Sequence, residues 1–331
     1  MVQSIKHHGG SVGASRVTTG NHPLYLELES RLASFFGFQS ATLVSSGYAS
    51  SLIAVQALTT PPARVVMDEK SHSSLRLAAG FLEVPSYSFA HRDTEDFHRR
   101  LRERGEGSAT LVLTDGLFSF SGAVPDLTQY AKGLGAGDVL LVDDAHGAGV
   151  IGPRGRGVLD SKPRLSPNQL ILTLTLSKAF GVHGGVILSS RAFQANIHQK
   201  SHFFAGHTPP PLHTAAGTLA AIDIFESEGE ILRGRLAENV NRIRMALRHG
   251  GLDVPPHPGP VVGLIPKSRA ASRRLRQSLL DASIYPPLVV YPGAPLGGYY
   301  RFAFSSEHGP AQLDLLARVL LRHKSCLGPM P

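Results

Sequence analysis

The sequence predicts an α/β protein with a mostly parallel, doubly wound sheet covered by helices, followed by a smaller α+β domain. Three observations predict it. Short apolar runs alternate with segments of helical period. Runs such as Val139-Leu140-Leu141-Val142 are apolar throughout, as strands buried on both faces are. Polar residues able to do chemistry follow the runs directly, at the carboxyl strand ends where such sheets bind ligands.

Residues 9–20, rich in Gly, Ser and Thr, read as a loop. Leu26, Leu28, Leu32, Ala33, Phe35 and Phe36 then recur at helical spacing, and Gly37 ends that helix. Residues 41–44 form a strand running into Ser45-Ser46-Gly47-Tyr48, with a helix through Leu58. A second strand, 65–67, ends in Asp68 before Ser71-His72-Ser73-Ser74 and a helix over 75–79. Strand 110–114, helix 127–133 and strand 139–142 follow, and strands 170–175 and 185–188 complete the sheet. Two long helices, 212–225 and 231–247, lead to a pattern of strand 261–265, helix 272–280, strand 299–304 and helix 310–321. The expected division is a large domain over 1–225 and a small one over 226–331.

A chain of 331 residues suffices for two domains, and 42% hydrophobic with 18% charged residues is an ordinary globular balance. The formal charge of +8 raises nucleic acid as a partner. The arginines, however, form only modest clusters at Arg99, Arg100, Arg102, Arg104 and at Arg273, Arg274, Arg276, without zinc-finger spacing or an RNA-binding aromatic pattern. No nucleic-acid partner is expected, and the positive field suits anionic metabolites. The single Cys326 excludes an intrachain disulfide and a multi-cysteine metal site. Residues 1–10 lack an apolar leader core, and no run reaches the roughly 18 apolar residues of a membrane span, so a cytoplasmic protein is expected.

The chemistry centres on Lys178, in Thr175-Leu176-Ser177-Lys178, after an apolar strand and before Gly181. An amine there can form a Schiff base with an aldehyde cofactor and then shuttle protons, which points to pyridoxal phosphate (PLP). Taken alone, the same lysine reads as one snorkelling from a strand end to solvent. An acid ending the neighbouring strand can pair with a protonated pyridine nitrogen, and Asp143 is preferred to Asp144 because it directly ends the run. Either aspartate reads otherwise as a solvated turn residue. His146 is a candidate for the cofactor's phenolic oxygen and His72 for stacking on the ring, or both are structural histidines. Ser119 is a lesser candidate near the same oxygen, or a turn hydroxyl. Ser46, Gly47 and Tyr48, between a strand and a helix, offer phosphate donors, and Thr175 and Ser177 add hydroxyls. No Walker A sequence or strand-linked GxGxxG is present.

These segments resemble the α-oxoamine synthase family of PLP enzymes with the aminotransferase-like fold type I. The resemblance rests on Gly10-Ser11-Val12-Gly13-Ala14-Ser15-Arg16, Ser71-His72-Ser73-Ser74, Thr114-Asp115-Gly116-Leu117-Phe118-Ser119 and Thr175-Leu176-Ser177-Lys178. It rests most on Val142-Asp143-Asp144-Ala145-His146-Gly147, which continues to Gly155-Arg156-Gly157. It implies that Lys178 carries PLP covalently, Asp143 pairs with the pyridine nitrogen, His72 stacks on the ring, and His146 with Ser119 faces the phenolic oxygen. Ser46, Gly47, Tyr48, Thr175 and Ser177 would surround the phosphate or cofactor edge. Arg301 would bind the amino-acid carboxylate, a role suited to a guanidinium fork, or stand as a surface strand arginine. The implied reaction joins an amino acid to an acyl-CoA thioester, usually with decarboxylation, in a homodimer with shared active sites. Biotin synthesis is the family-based expectation.

The chain departs from the pattern on the substrate side. It begins almost at the glycine-rich segment; Tyr25 stands where His is frequent, Ser51 where Asn is, and Tyr299 where the family often has Arg. Phe204-Ala205-Gly206-His207-Thr208-Pro209 also lacks the usual hydroxyl-rich run. Two other readings stay open: another PLP reaction, such as transamination, aldol cleavage or racemisation, and a non-catalytic subunit of a hetero-oligomer.

Overall fold

Seven strands form one sheet: β1 (Ser40–Val44), β2 (Arg64–Asp68), β3 (Ser86–Phe89), β4 (Thr110–Asp115), β5 (Val139–Asp143), β6 (Leu170–Thr175) and β7 (Gly185–Ser189). Their order is β1-β7-β6-β5-β4-β2-β3. From β3 through β6 all neighbours pair parallel, whereas β7 is antiparallel to both β6 and β1. As a result β1, β2, β4, β5 and β6 all end on one edge. The computed structural model describes residues 1–103, 105, 108–161, 163–290, 295 and 297–328. Arg104 of the basic cluster lies outside them.

The described residues fall into two compact units, one of Met1–Phe118 with Pro125–Gly229 and one of Ser119–Val124 with the chain from Glu230 onward. The sheet belongs to the first, with helices α1 (Val2–His8), α2 (Pro23–Phe36), α3 (Gly47–Gln56), α4 (Ser73–Phe81), α5 (Thr94–Arg102), α6 (Leu127–Gly133), α7 (Arg191–Lys200), α8 (His202–Gly206) and α9 (Leu212–Ser227). α2 shows why the pattern folds as it does. Pro23 opens it, Tyr25, Leu28, Leu32 and Phe36 form its buried stripe, and Gly37 closes it in the left-handed conformation at φ 77°.

Every residue of β1, β2, β4 and β7 is buried, which requires cover on both faces of the sheet. On one face Met67, Leu113, Leu141 and Ile187 meet Ile53 and Ala54 of α3, Leu75 and Ala78 of α4, and Ile197 of α7. Truncating one of these large side chains to Ala costs about 2–5 kcal/mol.

Elements outside the sequence pattern have weak apolar signals. Three of the four residues of β3 are exposed, so this edge strand lacks a buried alternation. α5 buries only Phe97 and Leu101 within a charged helix, and is announced instead by Asp93, whose side chain accepts the N–H groups of Glu95 and Asp96.

In the second unit, β8 (Val261–Pro266), β9 (Leu288–Val289), β10 (Tyr299–Ala303) and β11 (Leu327–Gly328) form an antiparallel sheet in the order β11-β8-β10-β9. Helices α10 (Gly229–His249), α11 (Arg269–Asp281) and α12 (Pro310–Arg322) accompany it, with Leu247, Leu264, Leu275, Tyr300 and Leu313 in its core. Arg244 donates to the carbonyls of Ser121, Gly259 and Val261, which ties the excursion Ser119–Val124 to this unit.

Candidate active site

At the common strand edge of the first unit lies a cavity of about 240 Å³. Nine of the sequence-selected residues line it: Ser46, Gly47, Tyr48, His72, Asp143, His146, Thr175, Ser177 and Lys178. Ser74, Asp115 and His183 line it as well, and none of the three carried a role in the sequence reading.

One wall is the start of α3. Ser46 caps the helix, its Oγ accepting the Ala49 N–H at 3.3 Å. A Cβ on Gly47 would lie 2.6 Å from Thr175 Cβ, so only glycine lets the first turn touch the end of β6. The Thr175 and Ser177 hydroxyls are 2.8 Å apart at that contact. Helix N–H groups and two hydroxyls therefore meet in one place, the donor set an anion needs.

The floor is made by the ends of β4 and β5. Asp115 and Asp143 are register partners on these parallel strands, and both are buried. Asp115 Oδ2 accepts the His72 N–H at 2.8 Å, fixing the residue that caps α4. Asp143 Oδ1 accepts the Ala145 N–H at 3.1 Å and its Oδ2 accepts the Ser74 hydroxyl at 3.0 Å. The His72 ring, edge-on to Tyr48, places Nδ1 2.8 Å from Ser74 Oγ and 3.2 Å from the Ser74 nitrogen.

Burial dominates the electrostatics. It pushes the Asp143 carboxyl up, against the lowering pull of His72 and the Ala145 N–H. Asp115 is held well above the usual carboxylate range by burial and then by Asp143. His72 is pushed down by burial, with Asp143 opposing and Lys178 adding to the shift.

Lys178 stands in the hairpin joining β6 to β7. The Leu176 N–H donates to Gly184 O and the Val182 N–H to Leu176 O, both at 2.9 Å, and the Gly181 N–H closes on Lys178 O at 3.0 Å. The antiparallel β7 thus returns the chain beside the lysine and brings His183 onto the cavity wall.

Asp144 is no solvated turn residue: it is fully buried, and its Oδ2 accepts the Val158 N–H at 3.0 Å. A Cβ added at Gly116, Gly147 or Gly157 would come within 2.3, 2.2 or 1.8 Å of its carboxylate oxygens. Gly116, Gly147 and Gly157 therefore make room for this side chain.

Ser119 and Arg301 both belong to the second unit, where Arg301 Nε donates to Ser119 O at 2.7 Å. The departures occupy packed positions. The buried Tyr25 donates its hydroxyl to Pro210 O at 2.5 Å, Ser51 Oγ lies 3.4 Å from Thr173 Oγ1, and Tyr299 packs edge-on against Phe120 at 4.2 Å.

The three residues missed in the sequence had a faint signal at best. Ser74 sits two residues after His72 in a first helical turn, and His183 five residues after Lys178. Asp115 ends an apolar run as Asp143 does, and only the strand register makes the two neighbours.

The family model for aminotransferase class I and II matches residues 9–320. An 8-amino-7-oxononanoate synthase of Halorhodospira halophila is 34% identical over 331 residues, covering 97% of this chain and 80% of that protein. One of Thioalkalivibrio sulfidiphilus is 32% identical over 323 residues, covering 97% of this chain and 82% of that protein. Among solved structures, the Sphingomonas wittichii serine palmitoyltransferase matches the fold with a TM-score of 0.88 at 23% identity, over 98% of this chain and 82% of that one. With its single sheet edge gathering lysine, acid, histidine and hydroxyls, the chain belongs to the aminotransferase class I and II family, within the α-oxoamine synthase group of PLP-dependent enzymes.

Proposed function

We propose that this protein is a PLP-dependent C-acyltransferase that condenses an amino acid with an acyl-CoA thioester, in the manner of 8-amino-7-oxononanoate synthase. The observation that carries this reading is the convergence of Lys178, Asp143 and the α3 hydroxyl wall on one cavity. The donor set fits the cofactor: Gly47 keeps the cradle open beside Thr175 and Ser177, and Asp143 is a buried acceptor suited to a ring N–H.

Bound there, PLP supplies an electron sink for the pair released at the amino acid's Cα. Lys178 would hold the cofactor covalently, and its amine would then move the proton at the substrate Cα. Asp143 would pair with the protonated ring nitrogen, His72 would face the ring, and His146 and Ser119 would serve the phenolic oxygen. Ser46, Gly47, Tyr48, Thr175 and Ser177 would hold the phosphate, and by the family pattern Arg301 would take the substrate carboxylate. A bond forms between Cα and the thioester carbonyl, the C–S bond breaks, CoA leaves as a thiol, and loss of carbon dioxide gives an α-amino ketone.

The relatives' names support a place in biotin synthesis. The protein is proposed to work in the cytoplasm as a homodimer; among the described residues no helix is long and apolar enough to cross a membrane. The test is release of free thiol from acyl-CoAs with alanine, glycine or serine. CoA release with one of these amino acids is expected, and none across a broad panel overturns the proposal.

A further inference from the structure

Ser74 has one hydroxyl proton and two neighbours able to accept it. Its Oγ is 3.0 Å from Asp143 Oδ2 and 2.8 Å from His72 Nδ1. Nδ1 also lies 3.2 Å from the Ser74 backbone nitrogen, where it accepts the helix-capping N–H only if it carries a lone pair. Two arrangements use the available protons. In one, a protonated Asp143 donates to Ser74 Oγ, Ser74 donates to Nδ1, and Nδ1 also accepts the backbone N–H. In the other, an ionised Asp143 accepts from Ser74, Nδ1–H donates to Ser74 Oγ, and the helix cap is given up.

We propose that Ser74 is a positioning residue that couples the charge of Asp143 to the protonation of His72 Nδ1. A proton passes from Asp143 Oδ2 to Ser74 Oγ as the hydroxyl's own proton passes to Nδ1. The Asp143 and Ser74 O–H bonds break while a new Ser74 O–H bond and an Nδ1–H bond form, with no proton gained or lost, and a neutral pair becomes a carboxylate and an imidazolium. Burial raises the proton affinity of Asp143 and lowers that of His72, which narrows the gap between the two arrangements. The other titratable groups around the triad are Asp115 on β4, which holds the His72 N–H, Lys178 in the β6–β7 hairpin, Tyr48 on α3, edge-on to His72, and His146 on the cavity wall. Asp68, at the end of β2, acts on Asp115.

The inference deepens the proposed function and rests on Asp143 as the partner of the cofactor's ring nitrogen. That role requires a carboxylate, and a carboxylate selects the arrangement with Nδ1–H. Loading the site then sets the protonation of the histidine as well.

The test is nuclear magnetic resonance of the full chain with ¹⁵N-histidine and ¹³C-aspartate, cofactor-free and PLP-loaded, for wild type, Ser74→Ala and Ser74→Thr. In the cofactor-free protein the His72 Nδ1 and Asp143 Cγ signals should shift at a common midpoint as pH is varied. Ser74→Ala should separate the two midpoints, and Ser74→Thr, which keeps a hydroxyl, should restore the common one. PLP loading should move Nδ1 to the protonated, pyrrole-type signature in wild type and in Ser74→Thr but not in Ser74→Ala. A common midpoint that survives in Ser74→Ala, or a wild-type Nδ1 that ignores the titration of Asp143, overturns the coupling. Borohydride reduction with mass spectrometry checks the cofactor reading separately. If no PLP is attached at Lys178, that reading fails, and the cofactor-free titration still decides the role of Ser74.

Discussion

Asp143 and Asp144 share a side chain, a strand end and complete or near-complete burial, yet their surroundings have little in common. Asp143 faces a cavity and touches groups that can exchange protons, the Ser74 hydroxyl and, through it, His72. Asp144 points to the opposite side of the strand, into a nest of glycine backbone. It accepts the Val158 N–H there, while its Oδ1 has no hydrogen-bond partner among the described residues. Burial pushes both carboxyls up. The difference is what surrounds the carboxyl: groups with exchangeable protons on the cavity side, fixed backbone on the other. Chemical identity therefore does not assign a role at this strand end; alternation of side chains across the sheet does.

Substitutions can break this contrast by making the cavity side lose chemistry and the nest side lose stability. The largest effect is expected for Lys178→Ala, which should abolish borohydride-trapped labelling and lower turnover by about 10²–10⁴-fold or more. Asp143→Asn should lower kcat by about 10²–10³-fold, with urea denaturation showing no matching loss of stability. Gly157→Ala should do the reverse. Its φ of 65° and the Cβ contact 1.8 Å from Asp144 Oδ2 should cost about 2–4 kcal/mol of stability by the same urea measurement. PLP should still attach to Lys178 in the molecules that remain folded.

The smallest effect is a slope. The folded state holds the Asp144 proton well above 3.8, the ordinary value at which an unfolded chain releases it. Folded molecules thus bind more protons than unfolded ones above about pH 4, and this residue's contribution to stability falls as pH rises through that window. Asp144→Asn should flatten the decline in the urea midpoint of the cofactor-free protein between pH 4 and neutrality; an unchanged slope would show that Asp144 ionises normally.

How much of this was legible depended on whether a signal was local. The runs that became β1, β2, β4, β5, β6 and β7 stood out because burial on both faces makes their centres mostly apolar, with only an occasional threonine. β3 was silent because Ser86, Tyr87 and Ser88 face solvent. In the site, Lys178, Asp143 and His72 could be selected because each follows an apolar run or lies close to one. Asp115 could not, since its importance comes from standing opposite Asp143, and strand register is not written in either segment alone. Ser74 was hidden for a related reason: its hydroxyl matters through two acceptors, one of them 69 residues away. The glycines around Asp144 were opaque in sequence, because it is their missing Cβ atoms that make space for a carboxylate.

The antiparallel β7 has a consequence for the order in which the sheet is assembled. Thr175 pairs with Gly185 across a short hairpin that contains Lys178, whereas Ser40 pairs with Ser189, 149 residues away in sequence. Loop-closure entropy favours the first pairing and delays the second. The lysine is thus seated early, by a local event, while β1 and the helix start beside it dock only when the far edge of the sheet is closed. If, as proposed, PLP capture needs both, it would serve as a readout of completed folding as well as of chemistry.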